Sequence, residues 1–564
     1  MRTAVLSLLV ACAANEITTP GDGAPTASAD APVATADGPP AIDARPAVDA
    51  LLLDAGPVVP PPTNCTPPEQ APDTSDPRTV VGAGAGTCTE ALLAAAIAQA
   101  GVITFDCGDD ATIAVTQTLN LRTDVDTVID GGGKVTLDGG GTTQILSFNH
   151  GNYRVNDVRL TLMRITLAHG KVSGTDPYDP APAPCSQGFY DGYGGALYVR
   201  DGVVLVVDSA FVDNVAEQLG PDVGGGAISL NGVKKATVIG STFRGGVASN
   251  GGGIQCLNCD VDIYNSTFED NRAVGHGANG DDSSQCSVVA KNGQHQVGSG
   301  GNGGAVVIDG GSDGTHTFCG VMFRNNQAGA DALGGAIFRT PDVAKQTTII
   351  DRCLFDGNTA PNGGGGALYM HNTTLQISAS TFHANSAQAF GAIQSDGTTY
   401  DFVNDTFEGN RAVAVGGNGG VGGALALFGG DGRIASSTFA NNTATGFAAV
   451  IFGTPPLTID DCIFANNTSP GSPMQCQIDA SGANNLQFPQ NRQSGGADSP
   501  CAPGITFADP ALGALGDHGG ATPTMLPGIG SPALGHGQGC PATDQRGNAR
   551  PSSNCTVGAV EGTN

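Results

Sequence analysis

Three kinds of residue cluster in this sequence could do chemistry. The first is Gly275-His276-Gly277 followed by Asp281-Asp282, with Lys291 and His295 a short way on. An imidazole among carboxylates is the equipment of glycosidic-bond hydrolysis, in which one carboxyl gives a proton while another activates water or attacks. The second is Cys256-Leu257-Asn258-Cys259, which has the spacing of a zinc or redox pair. Zinc needs two further ligands, and a redox pair of this spacing belongs to a strand-helix-strand context that is absent, so a local disulfide is the reading. The third is the acidic pairs Asp109-Asp110 and Asp460-Asp461, read as solvated turn residues. The glycine runs 298–304 and 416–423 lack the Lys-Ser/Thr of a phosphate loop and fall where the chain turns.

The elements that position these residues are short and repeated. From Gly194 onward two marks recur, a Gly-Gly-Ala-aliphatic element and a Phe-x-x-Asn element. The first stands at Gly194, Gly225, Gly303, Gly334, Gly365 and Gly422, with degenerate copies at Gly252, Phe390 and Phe447. The second begins at Phe211, Phe268, Phe323, Phe355, Phe382, Phe407, Phe439 and Phe464, while Phe243 keeps the ring but has Gly246 in place of Asn. From Gly365, Phe390, Gly422 and Phe447 to the next repeat Phe is 17 residues each time. A unit of about 25 residues with period-2 runs such as Leu375-Gln376-Ile377 is too short for a propeller blade and lacks helical periodicity. The fold class expected is all-β, a single-stranded right-handed parallel β-helix, with Phe residues stacked inside and Asn residues forming the turns. One short helix from Thr89 to Gly101 is expected to cap the first coil.

The paired marks over residues 194 to 470 resemble the repeats of the chlamydial polymorphic outer-membrane proteins and their bacterial relatives. Cys88-Thr89-Glu90-Ala91 leading to Ile103-Thr104-Phe105-Asp106-Cys107-Gly108 resembles the entry of bacterial right-handed β-helix proteins. Gly519 to Thr524, Gly530 to Ala533, Asp544-Gln545-Arg546-Gly547 and Gly558 to Glu561 are similar to the closing segment of the "choice of anchor" β-helix proteins. The resemblance implies a surface protein of the kind assigned to adhesion and names no ligand. Chlamydial members end in a membrane β-barrel, and the roughly 95 residues after the last repeat leave no room for one, so export by self-transport is not expected.

Anchoring is expected at the other end. Residues 1–12 carry Arg2, an apolar run and Leu9-Val10-Ala11-Cys12, a lipobox whose Cys12 would be lipidated. Residues 13–77, rich in Pro, Ala and Asp, read as a disordered tether. The remaining divisions are 78–193 for the cap and first coils, 194–470 for the repeated coils, and 471–564 for the closing segment. Export implies an oxidising compartment, where the fourteen cysteines beyond Cys12 could form up to seven disulfides. Cys88 with Cys107 and Cys540 with Cys555 are the favoured local pairs, beside Cys256 with Cys259.

A net charge of -28 repels phosphate backbones and anionic lipid, which excludes nucleic acid and leaves the lipid as the only membrane contact. No cofactor and no metal site is expected, although the acidic surface could hold calcium loosely. The His276 and Asp281 cluster shares pieces with the polygalacturonases, but there the paired carboxylate precedes Gly-His-Gly, and the other elements of that family are missing. The expectation is therefore a lipid-anchored protein of the bacterial outer membrane or cell surface that binds a glycan or protein ligand without catalysis. A carbohydrate-active enzyme and a structural surface coat are the alternatives on the same fold. Insertions concentrate between Phe-x-x-Asn and the next Gly-Gly-Ala, and the longest carries His276, Asp281, Asp282, Lys291 and His295, which makes it the candidate binding loop.

Overall fold

A computed structural model describes residues 64–562 apart from 178–187, 276–287, 290–294, 297–299, 312–313, 342–345, 398 and 455. The chain divides into two compact units after Pro60, and the second is described here. Its chain winds as a parallel β-helix. In one coil, Leu368–His371 lies in a twelve-stranded sheet, Thr373–Ser378 and Thr381–His383 lie in a 26-stranded sheet, and Ser386–Ala389 lies in a four-stranded sheet. Ile393–Asp396 then stacks in parallel on Leu368–His371, and the pattern repeats. Period-2 alternation explains the strands: Leu375 and Ile377 point in and are buried, while Gln376 between them is exposed.

Identical residues meet because coils stack in register. Phe211, Phe243, Phe268, Phe323, Phe355, Phe382, Phe407, Phe439 and Phe464 pair one with the next. Their rings form one buried column with centroids 4.6 to 5.3 Å apart. Each ring pair contributes about 0.5–1.5 kcal/mol beyond the area it buries.

The Asn of each Phe-x-x-Asn is buried, and it does not make the turn. The left-handed backbone falls one residue earlier, at Asp270, Asn325, Ala384 and Asn441, with φ between 52° and 57°. The Asn side chains instead bond along the stack. Oδ1 of Asn385 accepts from the backbone N–H and Nδ2 of Asn358, while its own Nδ2 donates to Oδ1 of Asn410 and to the Phe355 carbonyl. The ladder continues in the same way from Asn271 to Asn467. An amide has the donors and acceptor this position requires, whereas the turn beside it asks only for a positive φ.

Register also corrects two repeat marks. Ile254 pairs with Ile228 and Ile451 with Leu425, so the degenerate copies start at Gly251 and Ala448, one residue from Gly252 and Phe447. The second glycine of the mark is steric: a Cβ at Gly366 would strike the carbonyl oxygen of Gly391 in the next coil.

The helix α1 (Glu90–Gln99) has Thr89 as its N-cap, its side chain accepting from the Leu92 N–H. Leu93, Ala96 and Ile97 join the core with Ile103 and Leu119, so α1 closes the first coil. The chain turns out of it at Ala100, φ 57°, ahead of Gly101.

Cys88–Cys107, Cys256–Cys259 and Cys540–Cys555 are bonded, and so are Cys65–Cys319 and Cys476–Cys501. Cys353 and Cys462 are free and buried, so the upper limit of seven disulfides is not reached. They occupy an inward column that elsewhere holds Ser241, Ser266, Ser380 and Ser437, where each thiol stands in for a hydroxyl and points at a carbonyl oxygen. Asp461 is likewise buried, not solvated.

Candidate ligand groove

From Arg164 to Asp461 each coil bends once inside the long sheet, three residues before the repeat Phe or, at Arg164, before Leu167 in the same column, at a residue with positive φ. These are Arg164, Asp208, Gly240, Asn265, Gly320, Arg352, Ala379, Asn404, Ser436 and Asp461. Their side chains form a line along one corner, and both ends of the described chain dock on it.

The amino-terminal segment takes the lower part. Oδ1 of Asn265 accepts from the Cys65 N–H while its Nδ2 donates to the Cys65 carbonyl, Arg352 Nη1 donates to the Asn64 carbonyl, and Cys65 is bonded to Cys319. Arg159 pairs with Glu69, and Thr74 donates to Asp130, which also holds Arg164. Residues 64–77, assigned to the tether from composition, thus lie along the flank.

The closing segment takes the upper part. Thr522 donates to the Ala379 carbonyl, Asn404 Nδ2 donates to the Thr543 carbonyl at 2.8 Å, and the Gln538 N–H donates to Asp461. Gln545 is the staple: its Nε2 donates to Thr381 Oγ1, Thr522 Oγ1 and the Ser380 carbonyl, and its Oε1 accepts from Thr406 Oγ1. Buried Asp544 organises the turn around it, taking the Arg546 guanidinium and the backbone N–H groups of Arg546, Asn548 and Glu561.

Between the two docked segments a groove of about 630 Å³ remains. Asp351, Arg352, Ser378, Ala379 and Asn404 line it from the corner, Asn64 from the amino-terminal side, and Gly520, Ala521 and Thr543 to Gly547 from the closing side. That volume lies in the range of small-ligand sites. Its charges are already matched: Asp351 accepts from Arg352 Nε and Nη2 and from Ser378 Oγ, as Asp544 does from Arg546. One polar atom in the lining is buried without a partner, Oδ1 of Asn404, in a residue 7% exposed. The nearby Cys65, Cys319 and Asp351 converge as metal ligands would, but both sulfurs are committed to the disulfide.

Residues 305–493 match the family described as "Right handed beta helix region". The coil therefore winds to the right. Among curated proteins, metabotropic glutamate receptor-like protein R of Dictyostelium discoideum is 34% identical over 160 residues, 28% of this chain. The match spans 9% of that relative's length. Two solved structures of PfbA, a surface adhesin of Streptococcus pneumoniae, align with 12% and 11% identity and TM-scores of 0.28 and 0.30. They cover 80% and 76% of this chain and 93% and 97% of PfbA.

Of the residues singled out from sequence, Cys12, His276, Asp281, Asp282 and Lys291 lie outside the described residues. His295 falls in a short antiparallel pair, Val288–Val289 with His295–Gln296. On the described part of the inserted-loop face, the pocket over Val307 and Phe338 holds about 20 Å³, room for roughly one water. Gly520, Ala521 and Asp544 to Gly547 lie in the closing-segment motifs, but the corner residues of the groove carry no motif, since Arg, Ala, Asn, Ser and Asp succeed one another along it. Their signal is phase alone, three positions before each repeat Phe.

Proposed function

We propose that this chain is an exported surface protein, lipid-anchored at Cys12, whose β-helix is a rigid binding scaffold of adhesive type, and that the groove between its docked ends takes a neutral glycan. The matched charge of the groove lining carries the ligand assignment: the Asp351–Arg352 and Asp544–Arg546 pairs keep spare lone pairs and N–H groups but no net charge to offer. Sugar hydroxyls both donate and accept, so they suit such a surface, whereas a charged ligand would have to break an existing pair. Carboxylates held in ion pairs are poor proton shuttles, which favours recognition over hydrolysis. The Lys-poor, acidic surface supports an exported and soluble body over one that binds nucleic acid.

A glycan array on the body from residue 64 tests the ligand, with Ala521→Trp to fill the groove. The expected result is binding by the native protein, lost in Ala521→Trp at unchanged melting temperature. Binding that survives the tryptophan removes the groove from the reading. Accumulation of precursor under globomycin tests the lipid, and ordinary processing there would refute Cys12 as the modified residue.

A further inference from the structure

Apart from the Asn ladder and the Ser/Cys column, buried polar side chains gather at one bend between the twelve-stranded and the long sheet, where Arg339, Gln346, His316 and Thr348 are wholly buried. Arg339 takes an inward position in a column that reads Cys256, Ile308, Arg339, Met370. Its Nη2 donates to Oε1 of Gln346, while Nε and Nη1 have no partner. Nε2 of Gln346 has none either. His316 stands on the neighbouring strand in register with Thr348, its Nδ1 3.3 Å from both the backbone nitrogen and the carbonyl oxygen of Val261, and its Nε2 is unpartnered.

Charge sharpens the point. Burial pushes the Arg339 guanidinium down to about 9, so it remains a cation at neutral pH. Burial and the Arg339 charge push His316 down to about 2, so the imidazole is neutral. Asp260, the carboxylate whose charge Arg339 feels, gives Oδ2 to Arg154 at 3.1 Å. Among the described residues no ion pair reaches Arg339. A buried cation whose nearest carboxylate, Asp260, is already paired with Arg154 is destabilising, and buried donors without acceptors add to the cost. Nε and Nη1 of Arg339 and Nε2 of Gln346 are open N–H donors, and His316 Nε2 joins them in the tautomer whose Nδ1 accepts from the Val261 N–H; Oδ1 of Asp260 is the open acceptor nearby. Water would satisfy hydrogen bonds without neutralising the charge.

We propose that this bend holds one small monovalent anion of chloride size, bound between the Arg339 guanidinium, the Gln346 amide and Nε2 of His316. The ligand is structural: it neutralises a cation sealed inside the solenoid, and it is independent of the surface groove. Crystals of the body soaked in sodium bromide test it directly, with an anomalous peak expected beside Arg339. In solution, melting should rise by about 1–2 °C for each tenfold increase in chloride above half-saturation, against gluconate at equal ionic strength. Arg339→Met, which removes the cation, should abolish that dependence. Saturating bromide that leaves only a solvent oxygen beside Arg339 overturns the proposal, as does a chloride dependence that persists in Arg339→Met. Should that variant not fold, the bromide map of the native protein decides.

Discussion

The backbone N–H of Ser380 donates to Oδ1 of Asp405 at 2.9 Å, from one coil to the next. Asp405 thereby occupies the serine and cysteine column, with no exposed surface and with Oδ2 unpartnered. Burial raises its pKa well above the usual carboxylate range, which favours the protonated form in the folded protein. Because the unfolded chain releases that proton above about pH 4, stability falls as pH rises past that point until the raised native value is reached. Asp405→Ser restores the column's own residue and should stabilise the protein by about 1–2 kcal/mol at pH 7. Denaturation at pH 4 and pH 7 checks this; the gain should shrink at the lower pH.

Asn385→Ala removes an acceptor for two Asn358 N–H groups and a donor to Asn410 and Phe355, all buried. Several polar groups are orphaned together, so a loss of about 2–4 kcal/mol is expected. Hydrogen exchange should show the added opening concentrated in the coils on either side, because each coil of a solenoid contacts only its neighbours.

On the outer face His383 stands between Asp356, 2.7 Å from Nδ1, and Glu408, 3.4 Å from Nε2. The Asp356 hydrogen bond raises the histidine pKa, followed by the charges of Asp356 and Glu408. The contribution is therefore complete below about pH 6.5, the unfolded value, and is lost as pH rises through the raised native one. His383→Gln should be less stable than the native protein at pH 5.5 and match it by about pH 8.5. A histidine NMR titration should place His383 lower in Asp356→Asn than in the native protein.

Burial pushes the Cys353 thiol up to about 12 and raises Cys462 further. Neither forms thiolate at pH 8, and neither is exposed. Iodoacetamide should leave both unlabelled in the native protein and modify both after unfolding, as read by peptide mass spectrometry. Labelling of Cys353 in the native state would show that its coil opens.

What was legible in the sequence is what stacking forces to recur. A Phe column and an Asn ladder need the same side chain in every coil, so their period announces the solenoid. The corner line is imposed by backbone, and any residue able to take a positive φ serves there, so Arg352 and Asn404 leave no pattern. The groove was hidden for a second reason: Asn64, Arg352 and Gln545 come from three distant stretches and meet only because two chain ends share a corner. Phase at Gly252 and Phe447 slipped by one because glycine and alanine runs there allow two alignments, which only strand pairing separates.

The Cys65–Cys319 bond joins residues 254 positions apart. Tension applied at the amino-terminal end of the body therefore enters the solenoid partway up, at the strand Thr315–Cys319, and not at the helix-capped first coil. The coils between Cys65 and Cys319 hang outside the load path like a slack loop, and a pull toward the carboxyl end is borne only by the coils beyond it.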